Sequence, residues 1–313
     1  MRTLQSDRPV ITIGSCGLDI VGRATDPIRP GTSNPAVLRM SPGGVARNVA
    51  ENLARLGTDV YLLSAVGDDA EGRLILTQAR EAGVNVDHVL TIPDARTGTY
   101  LAVLDELGNL QLAMDDMRIV ETVSPEHLRS CKELMAEASV VFVDGNLTPR
   151  SLALAVRLAK QAGVPVAADP TSVSLALRFE SLLADLWMLI PNEAEATALM
   201  PAQGAKIDRV RGLEAARQLV ARGVEAAVVT LSEFGVAYAS TDGSGLVPAV
   251  QTEVLDPTGA GDALTAAVLF ALLNDIPLDE AVRLGASAAA LTLRTPGSVV
   301  TGLSLELLYD QLR

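Results

Sequence analysis

The chain has 313 residues and a net charge of −13, and 49% of its residues are hydrophobic although only 3% are aromatic. A surface this acidic repels nucleic-acid backbones and anionic lipid, so we expect neither nucleic acid nor a membrane as a partner. The apolar residues are mostly Ala, Val and Leu, a mixture that suits parallel strands buried beneath helices. No run of about 18 apolar residues occurs, so no segment is expected to cross a bilayer.

Strands and helices are predicted to alternate along most of the chain. Residues 10–14 predict a first buried strand, and residues 44–56 predict a helix that ends at Gly57. This alternation favours an α/β fold with a mostly parallel sheet flanked by helices on both faces. Further strands are predicted at 60–64, 140–143, 164–168, 186–190 and 226–231. Further helices are predicted at 71–81, 149–161, 193–200, 213–222, 260–274, 278–292 and 305–312.

Two stretches interrupt this alternation. Residues 20–40 are rich in Pro, Gly, Thr and Asn, and residues 97–114 predict two alternating strands around a hairpin turn at Gly108-Asn109. We interpret both as one small β-rich lid, inserted at about 18–41 and 97–117 into a single domain that spans residues 1–313. Surface decoration is the alternative interpretation.

Cysteine usage indicates the compartment. The chain has only Cys16 and Cys131, too few for a disulfide framework and not spaced as a Cys-x-x-Cys metal pair. This usage is typical of a reducing compartment, and the first residues lack the apolar core of a secretion signal. We therefore expect a cytoplasmic protein.

The segment Asp256-Pro257-Thr258-Gly259-Ala260-Gly261-Asp262 opens an apolar helix and carries the strongest chemical signal. Its two glycines allow a tight turn that brings several backbone N–H groups to one point. The helix dipole adds roughly half an elementary positive charge, so the segment predicts an anion site that needs no lysine. Asp262 lies at the mouth of this site, where its carboxylate could accept the proton of an attacking hydroxyl. An ordinary helix start is the alternative, but the complete pattern favours the functional interpretation.

This segment resembles the C-terminal signature of the ribokinase-like, or phosphofructokinase B, family, with Pro257 where threonine is usual. The segment Gly43-Gly44-Val45-Ala46-Arg47-Asn48 resembles the N-terminal signature of the same family. Both occur in the family's order and separation, and the resemblance covers essentially the whole chain. It implies a ribokinase-like fold and an ATP-dependent kinase that phosphorylates a primary hydroxyl of a sugar or nucleoside.

The resemblance also implies roles on the acceptor side. Asp262 would be the base that activates the acceptor hydroxyl. A sugar diol needs a carboxylate acceptor together with an amide that can both donate and accept, which Asp19 and Asn48 supply. The implied substrate-binding residues are Asp19, Gly43, Gly44, Arg47 and Asn48. The implied catalytic residues, whose N–H groups would hold the phosphoryl oxygens, are Gly259, Ala260, Gly261 and Asp262.

On the nucleotide side, Asn192 and Glu195 match a family motif that organises Mg²⁺ through water, and oxygen ligands suit this ion. The same spacing is also typical of a helix N-cap. Asp256 and Thr258 would contribute to a monovalent cation site, which implies K⁺. The implied ATP-binding residues are Asn192, Thr230, Ser232, Gly235, Gly259 and Gly261, with Ser232 where a glycine is usual.

Within the family the chain is most similar to kinases of pseudouridine, because Arg47, Asp116-Met117 and Asp144-Gly145-Asn146 occur together. A kinase of a free sugar, such as ribose, fructose or 2-keto-3-deoxygluconate, and an inactive sugar-binding regulator are the alternatives. A nicotinamide-dependent oxidoreductase is disfavoured because the Gly-x-Gly-x-x-Gly fingerprint is absent. Lid strands in this family often pair between subunits, so the resemblance also implies a homodimer.

Overall fold

The computed structural model describes residues 4–200 and 209–312, in which strands and helices alternate. The strands are β1 (Val10–Ile13), β2 (Gly17–Ala24), β3 (Ala36–Gly43), β4 (Val60–Leu63), β5 (Ala65–Gly67), β6 (Leu90–Ile92), β7 (Gly98–Leu104), β8 (Leu110–Asp116), β9 (Val140–Asp144), β10 (Val166–Asp169), β11 (Met188–Leu189), β12 (Ala226–Thr230), β13 (Val236–Ser240) and β14 (Ser244–Val247). The helices are α1 (Val45–Arg55), α2 (Ala70–Glu81), α3 (Pro125–Ser130), α4 (Lys132–Ala136), α5 (Pro149–Gln161), α6 (Val173–Ala176), α7 (Glu193–Ala198), α8 (Arg209–Ala221), α9 (Ala260–Leu273), α10 (Leu278–Leu293) and α11 (Leu305–Asp310).

The central sheet has eight strands in the order β14-β13-β12-β11-β10-β9-β1-β4. The six strands from β4 to β12 in this order run parallel to one another. At the other edge of the sheet, β13 is antiparallel to both β12 and β14. The predicted α/β class with a mostly parallel sheet is therefore confirmed. The chain leaves β1 for β4 on one side and later returns to β9 on the other side. Ligand crevices form outside the carboxyl ends of strands at such a reversal of strand order.

Both faces of the sheet are covered. Along β9, Val140 and Phe142 pack into one core with α1, α9 and α10, while Val141 and Val143 pack into a second core with α3, α5 and α8. All four side chains are fully buried. Burial on both faces explains why the strand sequences are continuous apolar runs rather than alternating ones.

A second sheet, which we call the lid sheet, has the strand order β3-β2-β7-β8. The β2–β3 hairpin lies between β1 and α1, and the β7–β8 hairpin follows β6. Parallel pairing of β2 with β7 joins the two stretches that the sequence predicts to form a lid. The register places Asp19, Tyr100 and Asp115 side by side on one face of this sheet.

Several predicted boundaries were wrong. The strand predicted at 186–190 is only Met188–Leu189, and the helix predicted at 193–200 ends at Ala198. The pairs β5–β6 and β13–β14 and the helices α3 and α4 were not predicted. Helix α3 carries a readable signal, because Ser124 caps its N-terminus through the backbone N–H of His127 and Pro125 occupies its first position.

Two further predictions concern the whole chain. Both cysteines are buried and free, so the described residues contain no disulfide. Within residues 4–200 and 209–312, no helix is both long enough and apolar enough to cross a membrane.

Candidate active site

Asp144 organises the point where the strand order reverses. It ends β9, and its buried carboxylate accepts hydrogen bonds from the backbone N–H and the hydroxyl of Ser15, both at 2.7 Å. It also accepts from the N–H groups of Ala46, at 3.1 Å, and Asn146, at 2.8 Å. The Ser15 hydroxyl oxygen in turn accepts from the N–H of Val45 at 2.9 Å. Ser15 and Asp144 therefore satisfy N-terminal donors of α1, whose own N-cap is a glycine without a side chain.

A cavity of about 490 Å³ lies between this point and the lid sheet. The lid sheet contributes Asp19, Val21 and Tyr100 to its wall, and α1 contributes Asn48. Asp262, in the first turn of α9, closes the end opposite the lid sheet. Further lining residues come from the loops that follow β1, β9 and β10, namely Ser15, Asn146, Thr171 and Ser172.

Asp262 is 8% exposed and is held by Asn48, whose side-chain Nδ2 donates to its Oδ2 at 2.7 Å. Burial raises the pKa of Asp262 to about 7, and the nearby carboxylate of Asp144 acts in the same direction. The hydrogen bond from Asn48 opposes this rise because it favours the charged carboxylate. A carboxylate with this pKa is ionised just above neutral pH and can accept a proton there.

Asp19 faces the same cavity from the lid sheet. Burial raises its pKa to about 7, and repulsion by the charge of Asp262 adds to the rise. The close approach of β3 to Asp19 requires Gly43, because a Cβ at this position would lie 2.2 Å from the carboxylate. The cavity therefore holds two buried carboxylates and the amide of Asn48, which together suit a ligand with several hydroxyl groups.

The N-terminus of α9 has the geometry of an anion site. Its N-cap, Gly259, has a left-handed backbone with φ of 79°, and a Cβ there would lie 2.2 Å from the carbonyl oxygen of Ser298. No side chain among the described residues caps this helix. Space above Gly261 is open, since a Cβ at this position would meet no atom within 4 Å. The N–H groups of the first turn can therefore bind an anion such as a phosphoryl group.

A smaller cavity of about 150 Å³ adjoins this helix end and is lined by Asn192, Glu195, Thr230 and Gly261. Asn192 and Glu195 form a capping box at the start of α7. The Asn192 side-chain oxygen accepts from the Glu195 N–H at 2.9 Å, and Glu195 Oε2 accepts from the Asn192 N–H at 2.9 Å. Burial raises the pKa of Glu195. The pair is thus an N-cap whose side chains also line the cavity, where their oxygens fit a hydrated cation.

Asp169 lies in the same small cavity although it was not predicted as a site residue. It ends β10, and its carboxylate accepts from the Thr171 N–H at 2.7 Å. Burial raises its pKa well above the usual range, and the charges of Glu195 and Asp262 raise it further. Within the described residues, no cluster of three or more His, Cys, Asp or Glu side chains could hold a metal by itself.

In the described structure, Arg47 lines neither of the two cavities. It is 3% exposed, and its guanidinium donates to the carbonyl oxygen of Pro42 at 3.0 Å and to Asn48 Oδ1 at 2.7 Å. It also forms an ion pair with Glu51 one turn later on α1. A guanidinium enclosed in this way lies behind the wall that Asn48 forms, whereas the sequence predicts that Arg47 binds the substrate directly.

Five other predicted residues lie outside the walls of the two cavities described above, namely Gly43, Ser232, Gly235, Asp256 and Ala260. Ser232 and Gly235 form the tight turn between β12 and β13, with φ of 50° and 97°. The left-handed conformation at Ser232 explains why a glycine is usual there. Asp256 instead ties two loops together, because its carboxylate accepts from the N–H groups of Thr258, at 3.0 Å, and Gly297, at 3.3 Å.

Most of the predicted residues line the two cavities, and three residues that were not predicted as site residues lie in or behind the cavity walls, namely Asp144, Asp169 and Ser298. Asp144 and Asp169 directly follow the predicted strands 140–143 and 164–168. Carboxyl ends of parallel strands meet at one edge of a sheet, so this signal was present in the sequence. Ser298 left no comparable signal, because it follows a helix in a short loop.

Comparisons with known proteins found similar chains over almost the whole length of this one. A family model described as pfkB family carbohydrate kinase matches residues 7–303. Pseudouridine kinase of Escherichia coli strain K12 is 34% identical over 285 residues, covering 91% of this chain and 90% of that protein. Guanosine-inosine kinase of Exiguobacterium acetylicum is 31% identical over 301 residues, covering 96% of this chain and 98% of that protein. An Arabidopsis thaliana ribokinase, solved with ribose and ATP, has the same fold with a TM-score of 0.82 at 23% identity, covering 98% of this chain and 99% of that one.

We expect Asp144→Asn to destabilise the protein. The side-chain amide of asparagine would direct an N–H group at one or more of the groups that now donate hydrogen bonds to the carboxylate. Each donor left without an acceptor costs about 1–3 kcal/mol. The free energy of unfolding, measured by urea denaturation, should fall by that amount. The control is Asp68→Asn, which removes an exposed pair with Arg73 and should change stability by less than about 1 kcal/mol. Equal effects of the two substitutions would contradict the role of Asp144.

Proposed function

The chain belongs to the pfkB family of carbohydrate kinases, and we propose that it transfers the γ-phosphoryl group of ATP to the 5′-hydroxyl of pseudouridine. Its family relatives are kinases of sugars and nucleosides, so it is a phosphotransferase with an alcohol group as acceptor. The single observation that carries the proposed chemistry is the position of Asp262, whose carboxylate lies between the acceptor cavity and the open N-terminus of α9.

On the acceptor side, the residues of the chain bind the ribose and move one proton. Asp19 and Asn48 line the cavity with a carboxylate and an amide, which suit the ribose hydroxyls. The carboxylate of Asp262 accepts the proton of the 5′-hydroxyl as that oxygen attacks the γ-phosphorus of ATP, and the bond from this phosphorus to the bridging oxygen breaks to release ADP. Tyr100 and Val21 of the lid sheet cover the cavity, and closure of the sheet would exclude water as a competing acceptor.

On the phosphoryl side, the backbone N–H groups of Gly259 to Asp262 bind the oxygens of the transferring group. The uncapped helix end and the open space above Gly261 fit that group. Asn192 and Glu195 would hold Mg²⁺ through water, since their oxygens line the adjoining cavity. When bound, the ion would neutralise charge that develops on the phosphate oxygens.

Besides the acceptor cavity and the small cavity at α9, a further cavity adjoins the acceptor cavity, and we call it the second cavity. It supports a nucleoside rather than a free sugar as the acceptor. It measures about 430 Å³ and shares Asp115, Met117, Asn146 and Leu175 with the first cavity, so the two are contiguous. A free pentose needs only the hydroxyl-binding groups near Asp262, whereas a base attached to the ribose needs additional room. Two of the relatives reported above also act on nucleosides by name. Polar groups in this second cavity that could contact a base edge are those of Asn146, Thr148 and Arg178.

We predict that pseudouridine has the highest kcat/KM in a panel with uridine, guanosine, ribose and fructose. In addition, Asn146→Ala should lower kcat/KM for pseudouridine by about 5- to 150-fold, the equivalent of about 1–3 kcal/mol for one lost polar partner. Its effect on ribose should be smaller, because Asn146 lies where the two cavities meet and only the base of pseudouridine extends from the ribose into the second cavity. A tenfold preference for a free sugar would refute the substrate assignment and leave the kinase assignment intact.

We predict that Asp262→Asn lowers kcat by about 10²–10⁴-fold, the usual contribution of a general base. Binding of pseudouridine and of a non-hydrolysable ATP analogue, measured by calorimetry, should change little because the amide has the same shape. Turnover within threefold of the parent would remove Asp262 from this role.

The pH profile gives an independent check on the same carboxylate. A base must be ionised to accept a proton, and the pKa of Asp262 is raised to about 7. In the unsubstituted enzyme, kcat/KM should therefore fall about tenfold per pH unit below 7 and be flat above it. Asp19 has a pKa in the same range, so the observed midpoint belongs to the pair. Full activity at pH 5 would contradict a base with a raised pKa.

We also propose that two copies of the chain associate through the outer face of the lid sheet. The register places Leu38, Met40, Leu112 and Met114 on the face opposite Asp19, and all four are more than half exposed. A contiguous exposed apolar patch is typical of a protein–protein interface. A second copy offers the same apolar face, which makes the contact self-complementary.

We predict that sedimentation velocity gives a mass twice the chain mass of 32.7 kDa. Leu38→Glu should yield the monomer, because a charge would be buried at the centre of the apolar contact. Leu74→Glu, which changes an exposed leucine on α2, should leave the mass unchanged. A monomeric parent protein would exclude the dimer.

A further inference from the structure

The guanidinium of Arg47 lies in the interior, next to the side chain that holds Asp262. Its Nη1 donates to Asn48 Oδ1 at 2.7 Å and to the Pro42 carbonyl oxygen at 3.0 Å, and its Nη2 pairs with Glu51. A buried charge is costly unless it is paired and hydrogen-bonded. The ion pair with Glu51 keeps the charge in place, and Nη1 is then directed at the amide of Asn48.

The orientation of the Asn48 amide follows from this contact. Arginine has only donors, so the atom of Asn48 that faces it must be the oxygen. The nitrogen must then point the other way, toward Asp262 Oδ2 at 2.7 Å. A rotated amide would set its N–H groups against the guanidinium and its oxygen against a carboxylate. Both contacts would be repulsive.

Ser298 is the second donor to the same oxygen but cannot replace Arg47. Its hydroxyl lies 3.1 Å from Asn48 Oδ1 and 2.8 Å from the Pro42 carbonyl oxygen, and it has one proton for the two acceptors. Nη1 of Arg47 has two protons and contacts both acceptors at once. Pro42 belongs to β3 of the lid sheet, so the same nitrogen joins the end of a lid strand to the amide.

We infer that Arg47 is a positioning residue: it fixes the amide of Asn48 so that Nδ2 faces the carboxylate of Asp262, and it anchors the end of β3 to the same group. This inference rests on the proposed role of Asp262 as the base. Arg47 acts through Asn48, since it lines neither the acceptor cavity nor the small cavity at α9 in the described structure.

Arg55 provides a matched control on the same helix. It pairs with the other oxygen of Glu51, through Nε at 3.0 Å and Nη2 at 2.7 Å, and donates to the Thr301 carbonyl oxygen. When either arginine is substituted, Glu51 therefore keeps an ion pair with the other one. Of these two arginines, only Arg47 contacts Asn48 in the described structure. A merely structural ion pair would make the two arginines equivalent in kinetics.

The environment of Asp262 makes its titration a specific readout. The hydrogen bond from Asn48 and the positive charge of Arg47 both lower the pKa of Asp262, against a larger rise caused by burial. Loss of either should therefore move the acid limb of the kcat profile to higher pH. The other charged groups around this carboxylate, which stay unchanged, are Asp19 of β2, Asp144 of β9, Asp169 of β10 and Glu195 of α7.

The test compares Arg47→Met and Arg47→Lys with Arg55→Met in the full chain, with pseudouridine and ATP as substrates. We expect Arg47→Met to lower kcat at least tenfold, to change the acceptor KM less than threefold, and to move the acid limb upward by about half a pH unit or more. Arg55→Met should keep kcat within threefold and leave the acid limb in place. Arg47→Lys keeps a cation for Glu51 but cannot span Glu51, Pro42 and Asn48, so it should lower kcat in the same direction and serves if the methionine variant does not fold.

A double-substitution cycle with Asn48→Ala decides whether Arg47 acts through the amide. If it does, Arg47→Met causes no further loss of kcat, measured at pH values above the acid limb, once Asn48 is alanine, although the lost charge of Arg47 still moves the acid limb. Multiplicative effects, parental kinetics in Arg47→Lys, or equal effects of Arg47→Met and Arg55→Met would overturn the inference. Parental turnover in Asp262→Asn would instead overturn the proposed function itself, so the two failures are distinguishable.

Discussion

The hydrogen bonds between Asp144 and Ser15 are the contact on which the rest of the site depends. They join the carboxyl ends of β9 and β1, two neighbouring strands from which the chain proceeds in opposite directions across the sheet. The same carboxylate accepts from the N-terminus of α1. Because α1 carries Asn48, this buried carboxylate sets the position of the amide that meets Asp262 on α9.

The net negative charge of the protein would repel a phosphate group, so a phosphate site needs groups that reduce this repulsion locally. Burial raises the pKa of five of the carboxylates that line or surround the two cavities, namely Asp19, Asp144, Asp169, Glu195 and Asp262. The proposed phosphoryl site contains backbone N–H groups at the start of α9 instead of lysine side chains. The nearest buried cation, Arg47, lies behind Asn48, where it can influence Asp262 without binding the transferring group.

The lid sheet has two different faces because its strands alternate side chains. One face carries Asp19 and Tyr100 over the acceptor cavity, and the other carries exposed apolar side chains such as Leu38 and Met114. The two faces fit the two roles proposed for this sheet, which are to cover the acceptor and to contact a second subunit. The carbonyl oxygen of Pro42, near the end of β3, ties this sheet to Arg47 and Ser298 beside the proposed base.

The sequence by itself determined the α/β class and the short motifs at the site. The apolar runs of the strands and the segment from Asp256 to Asp262 could be interpreted because each depends on residues close together in the chain. Only the tertiary structure showed where Arg47 lies, which the sequence predicts to touch substrate, and which groups Asp144 and Ser298 contact. For Asp144 and Ser298 these contacts join residues far apart in the chain, separated by 129 positions for Ser15 and Asp144 and by 250 for Asn48 and Ser298. Arg47 contacts close neighbours in the chain, but only the packing of α1 against α9 places it behind the side chain that meets Asp262. Such contacts depend on strand order and helix packing, which no local pattern of side chains specifies.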